Sequence, residues 1–74
     1  MKNLHLTGVL QKEGTGYCSL CPELGVASQG DSVEEATANL KEAVELFLEC
    51  ASATEIKARY NPEIFITRFD AAYA

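Results

Sequence analysis

Basic residues are scarce in this chain. Its 74 residues contain six Lys and Arg against eleven Asp and Glu, a formal net charge of −5, with no basic run. Nucleic-acid affinity depends mainly on Lys and Arg that neutralise phosphates, so this composition argues against direct binding of DNA or RNA. An acidic surface suits a basic protein partner, and the simpler interpretation that the acids only keep the protein soluble stays open.

Long apolar runs are missing as well. No stretch is long enough to span a membrane, and no charged and then apolar leader opens the chain. The three cysteines are an odd number, which does not make a disulfide framework. We therefore expect a cytoplasmic protein that makes no contact with a membrane.

The sequence also shows no catalytic or cofactor-binding motif. His5 is the only histidine, and a Ser or Cys nucleophile would need it as a base with a third group to orient it. Cys18-Ser19-Leu20-Cys21 has C-x-x-C spacing, but an odd offset within a strand puts the two sulfurs on opposite faces. Redox motifs instead place the first cysteine at a helix N-terminus. We interpret these cysteines as buried and inert, and predict no catalytic residue, no metal and no cofactor.

The apolar content predicts one folded domain over residues 1–74. Apolar residues make up 47% of the chain, which is too many for a disordered protein. A domain of this size buries only about 60% of the surface that its unfolded chain exposes. We therefore expect the domain to gain stability by forming a homo-oligomer.

Three strands are predicted before the first helix. Residues 4–10 carry leucines at alternate positions, the period of a half-buried strand. Residues 13–16 contain two glycines and mark a turn, after which residues 17–21 resume strand chemistry. A third short strand covers residues 26–29 and ends at Gly30.

The start of the first helix is the clearest local signal. Residues 32–35 fit a capping box, in which the Ser32 hydroxyl accepts from the amide of Glu35 and the Glu35 side chain returns to the amide of Ser32. Apolar residues then recur at three- and four-residue steps as far as Ala51, which predicts an amphipathic helix packed on the sheet. Residues 52–55 repeat the capping spacing and predict a short helix that ends near residue 59.

Acidic side chains cluster on and just before the first helix. A magnesium site for nuclease chemistry is one interpretation, but Glu35 is already explained by helix capping. A solvated acidic face, available to a partner, is favoured. The cluster consists of Asp31, Glu34, Glu35, Glu42, Glu45 and Glu49.

A last strand is predicted after the second helix. Pro62 disfavours helical geometry in the residue before it and so breaks the helix. Residues 63–69 are apolar on both faces, because Phe65 and Phe69 alternate with isoleucines. One helix covers only one face of a sheet, so Phe65 and Phe69 are the predicted self-association residues. The predicted class is α+β: a three-stranded antiparallel meander, a helix, a short helix and a last edge strand.

Several short motifs in this order resemble the HicB antitoxin family, with good specificity over residues 4–49. The family pattern is a Gly-Tyr strand, a C-P-E-L-type turn, a S-Q-G-[DE]-[ST]-x-E-E-A helix start and N-[LI]-x-E-A along the helix. The matching residues are Gly16-Tyr17, Cys21-Pro22-Glu23-Leu24, Ser28-Gln29-Gly30-Asp31-Ser32-Val33-Glu34-Glu35-Ala36 and Ala38-Asn39-Leu40-Lys41-Glu42-Ala43.

This resemblance implies both a fold and a role. The implied fold is partial RNase H-like, with the helix across one face of a small antiparallel sheet and the last strand at an edge. HicB-like domains bind and block HicA-type toxins, which are small basic RNA-cleaving proteins, and they usually form dimers or larger homo-oligomers. Typical members carry a DNA-binding segment after this domain, and the chain ends at Ala74 without one, so direct operator binding is not expected.

Three functional hypotheses follow. The leading one is a protein-binding domain that blocks a basic RNA-cleaving toxin through Glu42, Glu45 and Glu49 or through the open side of the sheet. The second is a self-associating orphan domain without toxin or enzyme activity. The third, a nuclease, is disfavoured because the strands lack the set of metal-binding carboxylates that it requires.

Overall fold

Three strands followed by two helices make up the regular structure. A computed structural model describes residues 3–74. The elements are, in order, β1 (Val9–Glu13), β2 (Gly16–Cys21), β3 (Val26–Gly30), α1 (Val33–Cys50) and α2 (Ala53–Arg59). The α+β class predicted from the sequence is confirmed.

The strands form an antiparallel meander in the order β1-β2-β3. Glu13 lies opposite Gly16, so the first hairpin closes around Gly14 and Thr15. Gly14 has a φ of 60°, a conformation that glycine adopts without the steric penalty of a Cβ atom. The second turn, residues 22–25, joins β2 to β3. The predicted meander is confirmed.

The first strand begins later than the alternating leucines predict. Residues 4–8 precede β1 and are not part of the sheet. The amide of Thr7 donates to Oε1 of Glu23 at 3.1 Å, and the Thr7 hydroxyl donates to Oε2 at 2.6 Å. Leu6 packs against the hydrophobic core. The leucine pattern therefore reflects packing beside the core and a side-chain anchor, and only its last part belongs to a strand ladder.

Both helices start at the predicted capping serines. The Ser32 hydroxyl accepts from the amide of Glu35 at 3.0 Å, and the Ser52 hydroxyl accepts from the amide of Glu55 at 3.1 Å. The return bond of the first box is one residue from the predicted place, because Glu35 Oε1 accepts from the amide of Asp31 at 2.8 Å. Neither helix of the described chain has the length and apolar content needed to cross a membrane.

Helix α1 packs on β3 and β2 and only slightly on β1. Cys21, Leu24, Leu40 and Val44 form the buried core between them. Ser19 is also buried, and its hydroxyl donates to the carbonyl of Ala36 at 3.0 Å, which satisfies the polar group. One face of the meander is thus covered by α1, and the flank beside β1 is left partly open.

The predicted last strand is wrong for the single chain. Within the described residues 3–74, residues 60–74 belong to no helix or strand. Tyr60 leaves α2 in an extended conformation, with φ −72° and ψ 116°, and Pro62 disfavours a helical turn at Asn61. The chain therefore runs outward and meets no strand edge. The radius of gyration is 14.3 Å, whereas a compact chain of this length has about 11 Å.

Gly30 is the point of closest approach between β3 and α1, which leads to a stability prediction. A Cβ atom added there lies 2.5 Å from the amide nitrogen of Ala36, which is rigid helix backbone. We expect Gly30→Ala to destabilise the fold by about 3 kcal/mol, the upper end of overpacking costs, measured by urea unfolding.

Gly8→Ala is the matched control for this substitution. The added Cβ atom meets the side chains of Leu40 at 3.5 Å and Leu10 at 3.9 Å, both ordinary contacts. We expect a change within about 0.5 kcal/mol, typical of a surface substitution. Equal unfolding free energies for the two variants would contradict the close packing of β3 against α1.

Candidate interaction surfaces

The cysteines do not come together. Cys21 is buried on the helix side of the sheet, and Cys18 lies half-buried on the opposite side, as the odd spacing predicts. Burial raises the pKa of the Cys21 thiol, which keeps it protonated and unreactive at neutral pH. Cys50 is exposed near the end of α1. The prediction of buried cysteines therefore holds for Cys21, holds in part for Cys18, and does not extend to Cys50.

A metal-holding cluster is not assembled in the part of the chain that the structure describes. Within residues 3–74, no three His, Cys, Asp or Glu side chains meet in an arrangement that would hold a metal. His5 is exposed ahead of β1, outside the strand in which the sequence placed it. Three surfaces and one extended segment of the described chain are candidates for contact with another molecule.

The acidic stripe is the set Glu42, Glu45 and Glu49. These positions are three and four residues apart on α1, so they share one face. All three are exposed, on the side of α1 that points away from the core residues Leu40 and Val44. The structure therefore brings the predicted partner-binding residues together on one surface.

The charge of this stripe opposes the helix it sits on. The last turn of α1 has no basic residue, and Glu49 lies there, at the negative end of the helix dipole. A carboxylate at this end costs about 0.3–1 kcal/mol, and like charges three or four residues apart add a few tenths. Within residues 3–74, Lys41 is the base paired with the stripe, with Nζ 3.8 Å from Glu45 Oε2, and such exposed pairs contribute little. The stripe is thus a local destabilisation that a cationic partner would relieve.

The lateral groove runs along the β1 side of α1. One wall is the chain that precedes β1, and the other is the flank of α1. Thr37, Lys41 and Glu45 form its polar rim on the helix. Its apolar lining includes Leu4, Leu6, Leu40, Val44 and Leu48. The groove is thus an apolar surface between α1 and the stretch that leads into β1.

The open sheet face is the side of the meander without a helix. Val9 and Leu20 are opposite each other in the register, and Ala27 is opposite Leu20 on the next strand. Val9 and Leu20 are each 42% exposed, so this face presents a small apolar patch. Its area is limited, because Gln11 and Gln29 flank the patch along the strands.

The C-terminal segment, residues 61–74, carries the predicted self-association residues. Phe65 is 89% exposed and Phe69 is 83% exposed, and Ile66 and Tyr73 are exposed too. The segment is attached to the domain at its start, where the amide of Asn61 donates to the carbonyl of Glu23 at 2.8 Å. The structure thus leaves Phe65 and Phe69 free of contacts that would bury them.

Glu23 is a buried carboxylate that sequence reasoning did not single out. It is 5% exposed, in the turn between β2 and β3. Burial by itself raises the pKa of Glu23, but the hydroxyl and amide of Thr7 and the backbone amide of Glu23 more than offset this effect, so the pKa is lowered overall. The charged form is therefore stabilised by hydrogen bonds, and it holds residues 3–8 against the turn.

The same turn also fixes the end of α2. Nη2 of Arg59 donates to the carbonyl of Gly25 at 3.0 Å, and its guanidinium lies 4.8 Å from the ring centre of Phe47. An arginine over an aromatic ring adds about 0.5–1 kcal/mol at an exposed site. These contacts set where the C-terminal segment leaves the domain.

Neither Glu23 nor the lateral groove was predicted from the sequence. Glu23 follows a proline in a short turn, a place where a charged residue is ordinarily exposed, so its local sequence carries no sign of burial. Two features of the sequence did point to the groove. The apolar stripe of α1 is wide enough to extend past the sheet, and the leucines of residues 4–10 needed a partner surface.

The fold and these surfaces define a small α+β domain with a single helix-covered sheet, and similar proteins are found by sequence. A UPF0150 protein of Helicobacter pylori is 37% identical over 70 residues, which cover 93% of this chain and 97% of that protein. The UPF0150 protein ssl0738 of Synechocystis is 44% identical over 46 residues, 60% of this chain and 64% of that protein. The UPF0150 protein ssr1765 of Synechocystis is 51% identical over 45 residues, which cover 58% of this chain and 57% of that protein.

The Helicobacter protein is similar along nearly its full length, so the chain belongs to the UPF0150 protein family. No protein-family model and no solved structure matches the chain.

The hydrogen bonds of Glu23 predict a dependence of stability on pH. We expect Glu23→Gln to lower the free energy of unfolding at pH 7 by about 1–3 kcal/mol, because bonds to a buried charge are lost. The folded-state pKa of Glu23 is lowered, so its contribution is complete above the unfolded pKa of about 4.3 and is lost as the pH falls through the folded pKa.

Urea unfolding of the wild-type and Glu23→Gln proteins at neutral and acidic pH measures this effect. The difference between the two proteins is expected to shrink as the pH falls below about 4. Glu42→Gln, an exposed change in α1, is the control and is expected to change stability by less than about 0.5 kcal/mol. A difference for Glu23→Gln that stays constant with pH would mean that its charge is not what stabilises the fold.

Proposed function

We propose that this chain is a cytoplasmic protein-binding domain of the HicB type, with a partial RNase H-like fold, that binds and inhibits a basic RNA-cleaving toxin of the HicA type. It would act without enzyme activity, cofactor or direct contact with nucleic acid. The observation that carries the proposal is the acidic stripe on the outward face of α1.

The resemblance to HicB antitoxins supports the fold more directly than the contact surface. Most of the matching residues have structural roles: Cys21, Leu24 and Leu40 lie in the core, and Ser32 caps α1. Glu42 is the one member of the acidic stripe inside a matching motif. The choice of the stripe as the contact therefore depends on its charge and exposure.

The electrostatics of the stripe favour a cationic partner. Glu42, Glu45 and Glu49 are exposed, and Glu49 lies in the last turn of α1, at the negative end of the dipole, where a carboxylate destabilises the free protein. Lys or Arg side chains of a basic ribonuclease would be attracted by both the carboxylates and the helix terminus. Residues that weaken local structure without a compensating contact are candidates for function.

Self-association is a second candidate, and a separate observation favours it. Phe65 and Phe69 are almost fully exposed on an extended segment, and two such side chains are costly to leave in water. Burial against another copy would recover that free energy. A homo-oligomer is compatible with partner binding, and it would be the whole function if the chain is an orphan domain.

An inhibition assay tests the toxin hypothesis. A HicA-type ribonuclease is mixed with increasing amounts of this protein, and cleavage of an RNA substrate is followed. We expect cleavage to fall as the protein is added and the inhibition to weaken at high salt, because exposed charges are screened. Unchanged cleavage together with the absence of a complex would contradict the proposal.

Charge-neutralised variants test the acidic stripe within this assay. Glu42→Gln, Glu45→Gln and Glu49→Gln in one chain should raise the concentration needed for half inhibition by at least about tenfold, a loss of about 1.4 kcal/mol. The control removes the same charge elsewhere, through Glu13→Gln, Glu55→Gln and Glu63→Gln. An equal loss in the control would mean that net charge matters and the stripe does not.

The mass of the protein in solution tests self-association. We expect a homo-oligomer at micromolar concentration by light scattering or sedimentation, because the exposed phenylalanines are buried in it. Phe65→Asp with Phe69→Asp should give the monomer mass. A wild-type protein that stays monomeric over the accessible concentrations would contradict this candidate and leave the toxin hypothesis untouched.

A further inference from the structure

We propose that residues 63–69 of one copy of this chain add as a strand to the β1 edge of a second copy, with their apolar side chains in the lateral groove. The inference rests on the self-association described above and names the two surfaces that meet. Two copies related by a two-fold axis exchange the segment in both directions, so each copy donates one strand and accepts one.

The donor segment has the chemistry and the conformation of a strand without its partner. Isoleucine, phenylalanine and threonine fill most of residues 64–69, and these residue types are enriched in strands. Among the described residues, the backbone hydrogen bonds outside helices and strands include none from residues 62–74. Phe65 and Phe69 share one face of an extended chain, and Ile64 and Ile66 share the other. The amide of Glu63 donates to Oδ1 of Asn61 at 3.2 Å, and the Ile64 side chain is half-buried. The backbone of residues 64–69 is unpaired within the described chain, and their other side chains are exposed.

The β1 edge is the one available to receive a strand. β1 pairs with β2 on one side only, so its other edge presents unpaired amides and carbonyls. The opposite edge of the sheet, β3, is partly occupied, because Nδ2 of Asn39 donates to the carbonyl of Gln29 at 2.8 Å. Helix α1 also packs closely over β3 and leaves the β1 flank open. A new strand thus fits beside β1 with less obstruction.

The lateral groove suits the side chains of such a strand. The groove lies between α1 and residues 3–8, which lead directly into β1, and its apolar wall on α1 includes Leu40, Val44 and Leu48. A strand that pairs with β1 and continues past Val9 would turn one of its two faces toward this wall. The rim of the groove carries both a cation and an anion, Lys41 and Glu45, and the donor segment carries Glu63 and Arg68. Apolar surface therefore meets apolar surface. Glu63 and Arg68 lie on opposite faces of an extended chain, so one of them faces the rim of the groove, and the rim offers that one an opposite charge.

The hinge favours exchange between copies over closure within one chain. Tyr60 leaves α2 extended, and Pro62 holds Asn61 away from a helical turn. The segment after this hinge pairs with no strand of its own chain among the described residues, and an unpaired element on an extended hinge is one that identical chains can exchange.

Hydrogen exchange by mass spectrometry on the full chain tests where the segment binds. Exchange is compared at a concentration where the mass is that of an oligomer and at a dilution where the chain is monomeric. We expect residues 63–69 and β1 (Val9–Glu13) to exchange at least about tenfold more slowly in the oligomer, because their amides become hydrogen-bonded. The amides of β3 (Val26–Gly30) should change little.

Two variants identify the donor. Phe65→Asp with Phe69→Asp should weaken association at least about a hundredfold and remove the protection of both regions, since two large apolar side chains leave the interface. Ala71→Asp with Tyr73→Asp adds the same charge beyond the donor segment and should keep association and protection. Equal losses in the two variants would overturn the assignment of residues 63–69 as the donor.

The remaining outcomes separate this inference from self-association itself. A monomer at every concentration contradicts both. An oligomer whose protection falls on β3, or that leaves residues 63–69 unprotected, overturns the strand exchange and keeps self-association. Protection of β1 and residues 63–69 at the monomer mass also overturns it, because the segment then closes within its own chain.

Discussion

Glu23 joins three parts of the chain, through its carboxylate and through its backbone carbonyl. The two carboxylate oxygens accept from the amide and hydroxyl of Thr7, which anchors the stretch before β1. The backbone carbonyl of Glu23 accepts from the amide of Asn61, which anchors the start of the C-terminal segment. A buried charge is costly unless it is hydrogen-bonded, so the charged form of Glu23 depends on the Thr7 contacts. The contacts of Glu23 therefore fix the position of the stretch before β1 and the start of the C-terminal segment.

Local signals predicted the elements that depend on local chemistry. The capping serines, the glycine turn and the period of α1 are each properties of a few neighbouring residues, and the structure has them where the sequence placed them. One capping bond differs from the prediction: the Glu35 side chain extends to the amide of Asp31 instead of the amide of Ser32. Fold class was predictable for the same reason, because three strands and an amphipathic helix in this order leave few ways to bury their apolar faces.

The errors occur where a distant contact outweighs a local pattern. Leu4 and Leu6 alternate as in a strand, but Thr7 is held by Glu23, sixteen residues away, and the stretch packs beside the core. Residues 63–69 have the composition of a strand, yet a strand requires an edge that pairs with it. A sequence pattern indicates which conformation a segment prefers, and it does not indicate where the partner of that segment lies. The acidic stripe was predictable because a helix face depends on spacing alone, whereas the lateral groove depends on how α1 sits across the sheet.

One helix over three strands leaves this small domain with more interaction surface than it can cover. Because α1 lies over β2 and β3, the β1 flank and the outward face of α1 remain as two separate surfaces of different character, one apolar and one acidic. A second copy suits the apolar surface, and a cationic partner suits the acidic one. Glu45 borders both, since it lies on the rim of the groove and in the middle of the stripe. Strand exchange and partner binding are therefore compatible over most of their area, and any competition between them is expected at Glu45.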